Sequence, residues 1–92
     1  MYGLYENYPN PFNPHTIISF QLDKATKGKL QIYNTKGQLV KNLYDGEIQA
    51  NKVYIFNWNG TNNQGKKVTS GTYIYQLKTK NKVYTKRMLM IK

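Results

Sequence analysis

The chain predicts an all-β fold, an antiparallel sandwich, and three observations carry that reading. Short runs of apolar–polar alternation recur along it, such as Tyr73, Tyr75 and Leu77 against Ile74 and Gln76, the period of a strand with one face buried. Turn-forming residues punctuate those runs: Gly37, Gly46, Gly60, Gly65 and the Lys80-Asn81 pair. Apolar residues nowhere hold the i, i+3, i+4, i+7 spacing of a helix over three turns. At 92 residues the chain has material for one domain and one core, and sandwiches of about 100 residues are the common all-β solution at that size.

Residues 1–15 hold all three prolines and three of the nine tyrosines. Each proline fixes φ and biases its predecessor towards extended backbone. The apolar Leu4, Tyr5, Tyr8 and Phe12 are poor filler for a linker, so this segment is expected to be a packed strap. Tyr8 and Phe12 are its expected anchors, and Pro9 and Pro11 its kinks. Residues 16–92 form the sandwich body.

The first clear strand is Thr16 to Leu22, with Ile18, Phe20 and Leu22 on one face. Asp23 to Gly28 reads as a polar turn, and Lys29 to Asn34 as a second strand with Leu30 and Ile32 inward. Gly37 closes a tight turn into Gln38–Tyr44. There Leu39, Val40 and Leu43 break strict alternation, which predicts a bulge or an edge position. Asp45 to Lys52 reads as a connection.

The central stretch runs from Trp58 to Leu77. Val53–Trp58 is a strand ending on the only tryptophan, and Gly71–Thr79 is a strand carrying the Tyr73, Tyr75, Leu77 ladder. The two read as opposite walls of one core. Gly60 and Gly65 shape the polar corner between them, and Val68 plugs it. Lys80-Asn81 predicts a hairpin into the last strand, Lys82 to Ile91. One face of that strand carries Val83, Thr85, Arg87, Leu89 and Ile91; the other carries Tyr84, Lys86, Met88 and Met90. Leu89 and Ile91 are expected to complete the core.

The charge is +10, from fourteen basic and four acidic residues. That favours anionic partners, but thirteen of the fourteen are dispersed lysines rather than arginines. Lysine is poorly suited to bidentate base readout, so specific nucleic-acid binding is not expected. There is no cysteine, hence no disulfide framework and no thiolate metal site. No apolar run reaches the roughly 20 residues of a membrane helix. No N-terminal segment reads as a signal peptide, so an export signal is expected elsewhere in a parent protein.

Catalysis is not expected. Glu6, Asp23, Asp45 and Glu47 offer no acid/base pair beside a histidine, and lone His15 has no triad around it. Asn57 to Gly65 resembles a calcium loop with amides where carboxylates are needed, so no metal or other cofactor is assigned. Tyr5, Tyr8, Tyr33, Tyr44, Tyr75 and Tyr84 could form a platform for sugar rings; cross-strand packing is the competing account.

Four segments carry a family resemblance. Asn7-Tyr8-Pro9-Asn10-Pro11-Phe12-Asn13-Pro14, followed by a T-x-I-x-F-x-L strand, resembles the opening of the type A C-terminal sorting domains of the bacterial type IX secretion system. Trp58-Asn59-Gly60, the Gly65 turn and Ser70-Gly71-x-Tyr73-x-Tyr75-x-Leu77 resemble a later block, as Leu30-x-Ile32-Tyr33-Asn34-x-x-Gly37-x-x-Val40-x-x-Leu43 does an intermediate one. Lys86-Arg87-Met88-Leu89-Met90-Ile91-Lys92 is similar to their basic-then-apolar ending. The W-x-G and G-x-Y elements also occur in the immunoglobulin-like domain of the flagellar hook-capping protein.

The resemblance implies a seven-stranded immunoglobulin-like sandwich that ends a larger exported protein. It implies an address read by outer-membrane secretion machinery, passage through the periplasm and delivery to the cell surface. In many members a sortase-like peptidase removes the domain and joins the cargo to anionic lipopolysaccharide. Gly71 and Tyr73 fall in the G-x-Y motif, and Lys82 and Lys86 match a terminal K-x-x-x-K pair. Asn59 departs from the commoner W-D-G. On this reading Lys82, Lys86, Arg87 and Lys92 steer a receptor, and Met88, Leu89, Met90 and Ile91 give it an apolar grip along an exposed strand edge. A weak dimer through that edge stays open. The rival functions are a carbohydrate-binding or adhesion module on a secreted hydrolase, and a structural spacer.

Overall fold

The computed structural model describes residues 2–91. Among them are seven strands and no helix: β1 (Gly3–Leu4), β2 (Thr16–Gln21), β3 (Thr26–Asn34), β4 (Leu39–Ile48), β5 (Val53–Trp58), β6 (Gly71–Thr79) and β7 (Val83–Met90). They form two antiparallel sheets, β1-β2-β5 and β4-β3-β6-β7. No helix of the described residues is long and apolar enough to cross a membrane. The core lies between the sheets, as the alternation predicts. Ile18 and Phe20 come from the smaller sheet, and Leu30, Ile32, Tyr75 and Leu77 from the larger; all six are inaccessible.

Trp58 and Tyr73 do face each other as opposite walls. Their rings meet edge-on at 5.4 Å across the sandwich, and Phe12 tilts against Trp58 at 5.7 Å. The other open side is closed by Tyr44, Tyr54 and Phe56, with Tyr54 stacked on Phe20 at 4.9 Å.

Two elements run longer than their sequence suggests. β3 begins at Thr26, inside the expected polar turn, and β4 extends to Ile48 through the expected connection. The two segments pair, Lys27 with Glu47 and Gly28 with Gly46, and long-range pairing of this kind overrides weak local propensity. The predicted irregularity is in β4: register shifts against β3 fall between Leu30 and Gln31 and between Ile32 and Tyr33. β4 is also an edge strand.

The N-terminal residues join both sheets. Tyr5 and Tyr8 continue the pairing of β1 with β2 through backbone bonds to Ser19 and Ile17. The chain then crosses to the larger sheet, where Phe12 forms a parallel bridge beside Met90. Phe12 is an anchor at 1% exposure, but Tyr8 is 77% exposed and its side chain anchors nothing. Asn7 takes that part. It is buried, and its amide donates to Thr16 Oγ1 at 3.0 Å and to the Pro9 carbonyl at 3.2 Å. All three X-Pro bonds, at Pro9, Pro11 and Pro14, are cis.

Candidate functional site

β7 alternates strictly, and its two faces have separate fates. Met88 and Met90 are buried, at 2% and 4% exposure, while Leu89 and Ile91 are 41% and 46% exposed. The expectation that Leu89 and Ile91 complete the core is therefore overturned. β7 pairs with β6 so that Met88 lies opposite Tyr73 and Met90 opposite Gly71. Parity then sends every odd-numbered residue outward. An apolar grip at this end can use Leu89 and Ile91, with Arg87 beside them, but not the methionines without opening the core. Lys92 lies outside the described residues.

The strand edge is not free where it was expected to be. Phe12 donates its N–H to the Leu89 carbonyl and accepts from Ile91 N–H, both at 2.9 Å, and Asn10 Oδ1 accepts from Leu89 N–H at 3.0 Å. The strap thus occupies the backbone groups that a partner strand or a second copy would pair with. The opposite edge is protected likewise: Asn63 donates its N–H to the Val40 carbonyl, and its side chain accepts from Asn42 N–H. Covered edges are a common defence against edge-to-edge association.

The terminal lysine pair is divided. Lys86 reaches Glu6 at 2.7 Å, joining β7 to the N-terminal segment. Lys82 sits over the Tyr84 ring at 4.9 Å. The G-x-Y motif is architectural here. Gly71 has φ +143°, and Tyr73 points inward with its hydroxyl donating to the Thr69 carbonyl at 2.5 Å. That is the geometry of a tyrosine corner, a bond back to backbone a few residues upstream.

The Trp58–Gly71 corner is held by its own polar groups. Trp58 Nε1–H donates to the Thr61 carbonyl at 2.8 Å. Asn62 Oδ1 accepts from the N–H groups of Gln64 and Lys66, and Asn59 Oδ1 accepts from the Thr61 hydroxyl. Amide oxygens that would face a cation are engaged in shaping the loop. Among the described residues no three of His, Cys, Asp and Glu gather into a metal-binding group. Gly60, at φ +76°, leaves room for Met90 Sδ, which would stand 2.9 Å from a Cβ placed there. Gly65 takes φ +81° at the loop tip. A groove of about 280 Å³ lies between corner and strap, lined by Pro14, Asn59, Lys67, Val68 and Ile91 among others.

The tyrosine platform does not assemble. Tyr75 is wholly buried, its hydroxyl donating to the Tyr5 carbonyl at 2.8 Å, and burial pushes its pKa up to about 12. Tyr44 packs against Tyr54 and Phe56 and donates to the Glu47 carbonyl. Its pKa is raised, by burial first and by the neighbouring Tyr54 second. What the sequence did not disclose is the composition of the outer faces, because that depends on register between strands far apart in the chain.

The FlgD Ig-like domain family matches residues 10–82. No curated protein sequence is significantly similar to the chain. Among solved structures, PorZ of Porphyromonas gingivalis, an essential bacterial surface component of the type IX secretion system, gives a TM-score of 0.69 at 24% identity; the match covers 98% of this chain and 12% of PorZ. Dimeric latent PorU of the same organism gives 0.72 at 17% identity, covering 96% of this chain and 9% of PorU. FlgD from P. aeruginosa gives 0.61 at 24% identity, covering 82% of this chain and 58% of FlgD. The chain spans about a tenth of PorZ and PorU, and these likenesses establish a common fold.

Proposed function

Because the chain belongs to the FlgD Ig-like domain family, whose fold it shares with domains in PorZ and PorU, we propose that it is a non-catalytic targeting module of the type IX secretion route. It directs an exported cargo across the outer membrane to the cell surface. Its readers are the outer-membrane secretion machinery and a sortase-like peptidase that joins the cargo to anionic lipopolysaccharide. The observation that carries the reading is the end of β7, where Arg87, Leu89 and Ile91 stand out from the sandwich while Met88 and Met90 hold the fold. The NYPNPFNP opening supports it, since that segment frames the same end through Phe12 and Asn10. Lys82 and Lys86 are left out of the contact surface, because Lys86 is ion-paired with Glu6 and Lys82 lies over Tyr84 at the opposite end of β7.

The test is a gain of function. Residues 1–92 are fused to the C-terminus of a fluorescent protein bearing a Sec signal, in a bacterium that has the type IX system. Cargo should reach the surface or medium with the domain and stay periplasmic without it. Retention of a folded fusion would overturn the proposal.

A further inference from the structure

The outer face of the larger sheet carries an ordered polar row that no role above uses. Asn42 of β4 lies opposite Gln31 of β3, Gln31 opposite Gln76 of β6, and Gln76 opposite Thr85 of β7. One uncharged hydrogen-bonding side chain per strand thus crosses the whole sheet. Strands are spaced by about 4.7–4.9 Å, close to the length of one pyranose ring in an extended chain. The row is ordered before any ligand arrives. Gln31 Nε2–H donates to Asn42 Oδ1 at 2.7 Å, Tyr33 hydroxyl donates to Gln31 Oε1 at 2.7 Å, and Gln76 Nε2–H donates to Thr85 Oγ1 at 3.1 Å. Side chains fixed in advance lose little entropy on binding.

An apolar floor lies alongside. The neighbouring row sets Tyr33 opposite Ile74, and Ile74 opposite Arg87. Tyr33, Ile74, Gln76 and Thr85 line one shallow groove of about 400 Å³, with Asn34 and Lys78 at its margins. Amides and hydroxyls beside an aromatic ring suit a ligand whose rings have polar rims and apolar faces. We infer that this face binds an extended, uncharged oligosaccharide laid across the strands, seated in the groove over β3, β6 and β7 and continued towards β4 by Gln31 and Asn42. A β-1,4-linked chain runs as an extended ribbon that can meet side chains on successive strands, whereas an α-1,4-linked chain coils away from the row. The groove adjoins Arg87 of the targeting patch but is not lined by Arg87, Leu89 or Ile91.

The test is an NMR titration of the ¹⁵N-labelled 92-residue chain with cellohexaose, and separately with maltohexaose. Cellohexaose should shift the amides of residues 31, 33, 42, 74, 76 and 85 and leave the smaller sheet unmoved. Gln76→Ala and Tyr33→Ala should each weaken binding about three- to tenfold, the worth of a hydrogen bond or a ring contact. Gln76→Ala leaves the core intact, so its unchanged melting temperature separates lost binding from lost fold. No shifts at millimolar cellohexaose, shifts located elsewhere, or equal binding of maltohexaose would each overturn the inference.

Discussion

Replacing Met90 and Leu89 by alanine, one at a time, puts the parity of β7 on a free-energy scale. Met90 is 4% exposed and packs beside Gly60 under the corner. Truncating a buried methionine costs about 2–5 kcal/mol, the spread reflecting how far the site can collapse. Leu89 is 41% exposed. Full burial of a leucine is worth about 1.5–3 kcal/mol, so its partial burial makes Leu89→Ala worth about 1 kcal/mol. Its backbone bonds to Asn10 and Phe12 survive the change. In a chain of this size each kcal/mol moves the melting temperature by about 4–8 °C. Met90→Ala should therefore fall well below Leu89→Ala in both thermal and urea unfolding, with the urea m-value unchanged. Equal costs, or a larger cost at Leu89, would mean that β7 is slipped by one residue and that the outward face is misassigned.

Other consequences follow from the core. Trp58→Ala removes the ring between Phe12 and Tyr73 and the bond to Thr61; it should cost about 3–5 kcal/mol, and a melt lowered by only a degree or two would refute its central position. Gly60→Ala should destabilise by about 1–2 kcal/mol from the left-handed backbone alone, and a Met90→Ala background should relieve the added clash with Sδ. Tyr75 is held neutral in the fold, with a pKa of about 12 against the ordinary 10.0. In the unfolded chain it loses its proton first, so stability is intact below pH 10 and falls by about 2 kcal/mol as pH rises to 12. Tyr75→Phe should flatten that alkaline decline in chemical-denaturation curves, and identical slopes would refute it.

Much of the sandwich was legible because its signals are local. Alternation in β2, β5 and β6 named the core residues, glycines marked Gly37, Gly60 and Gly65 as left-handed turns, and the irregular spacing of Leu39, Val40 and Leu43 foretold the broken ladder of β4. The errors came where two answers shared one pattern. At the end of β7 both faces are apolar, so alternation defined two sets without saying which is inside; pairing with Tyr73 decides for the methionines. Asn7 holds the place expected of Tyr8, because hydrophobicity favours a tyrosine as anchor whereas the buried backbone here needs an amide donor. Covering of the β7 edge by Asn10 and Phe12 joins segments nearly the full chain apart. No local signal encodes that contact.

The most direct test of the account is an export profile across residues 86–91. Each position is changed to serine in the fluorescent-cargo fusion, and surface yield is divided by the folded fraction measured for the same variant. The account predicts a period of two: corrected export falls at Arg87, Leu89 and Ile91, and losses at Met88 and Met90 vanish once unfolding is allowed for. A flat corrected profile, or one that falls only at the methionines, would contradict it.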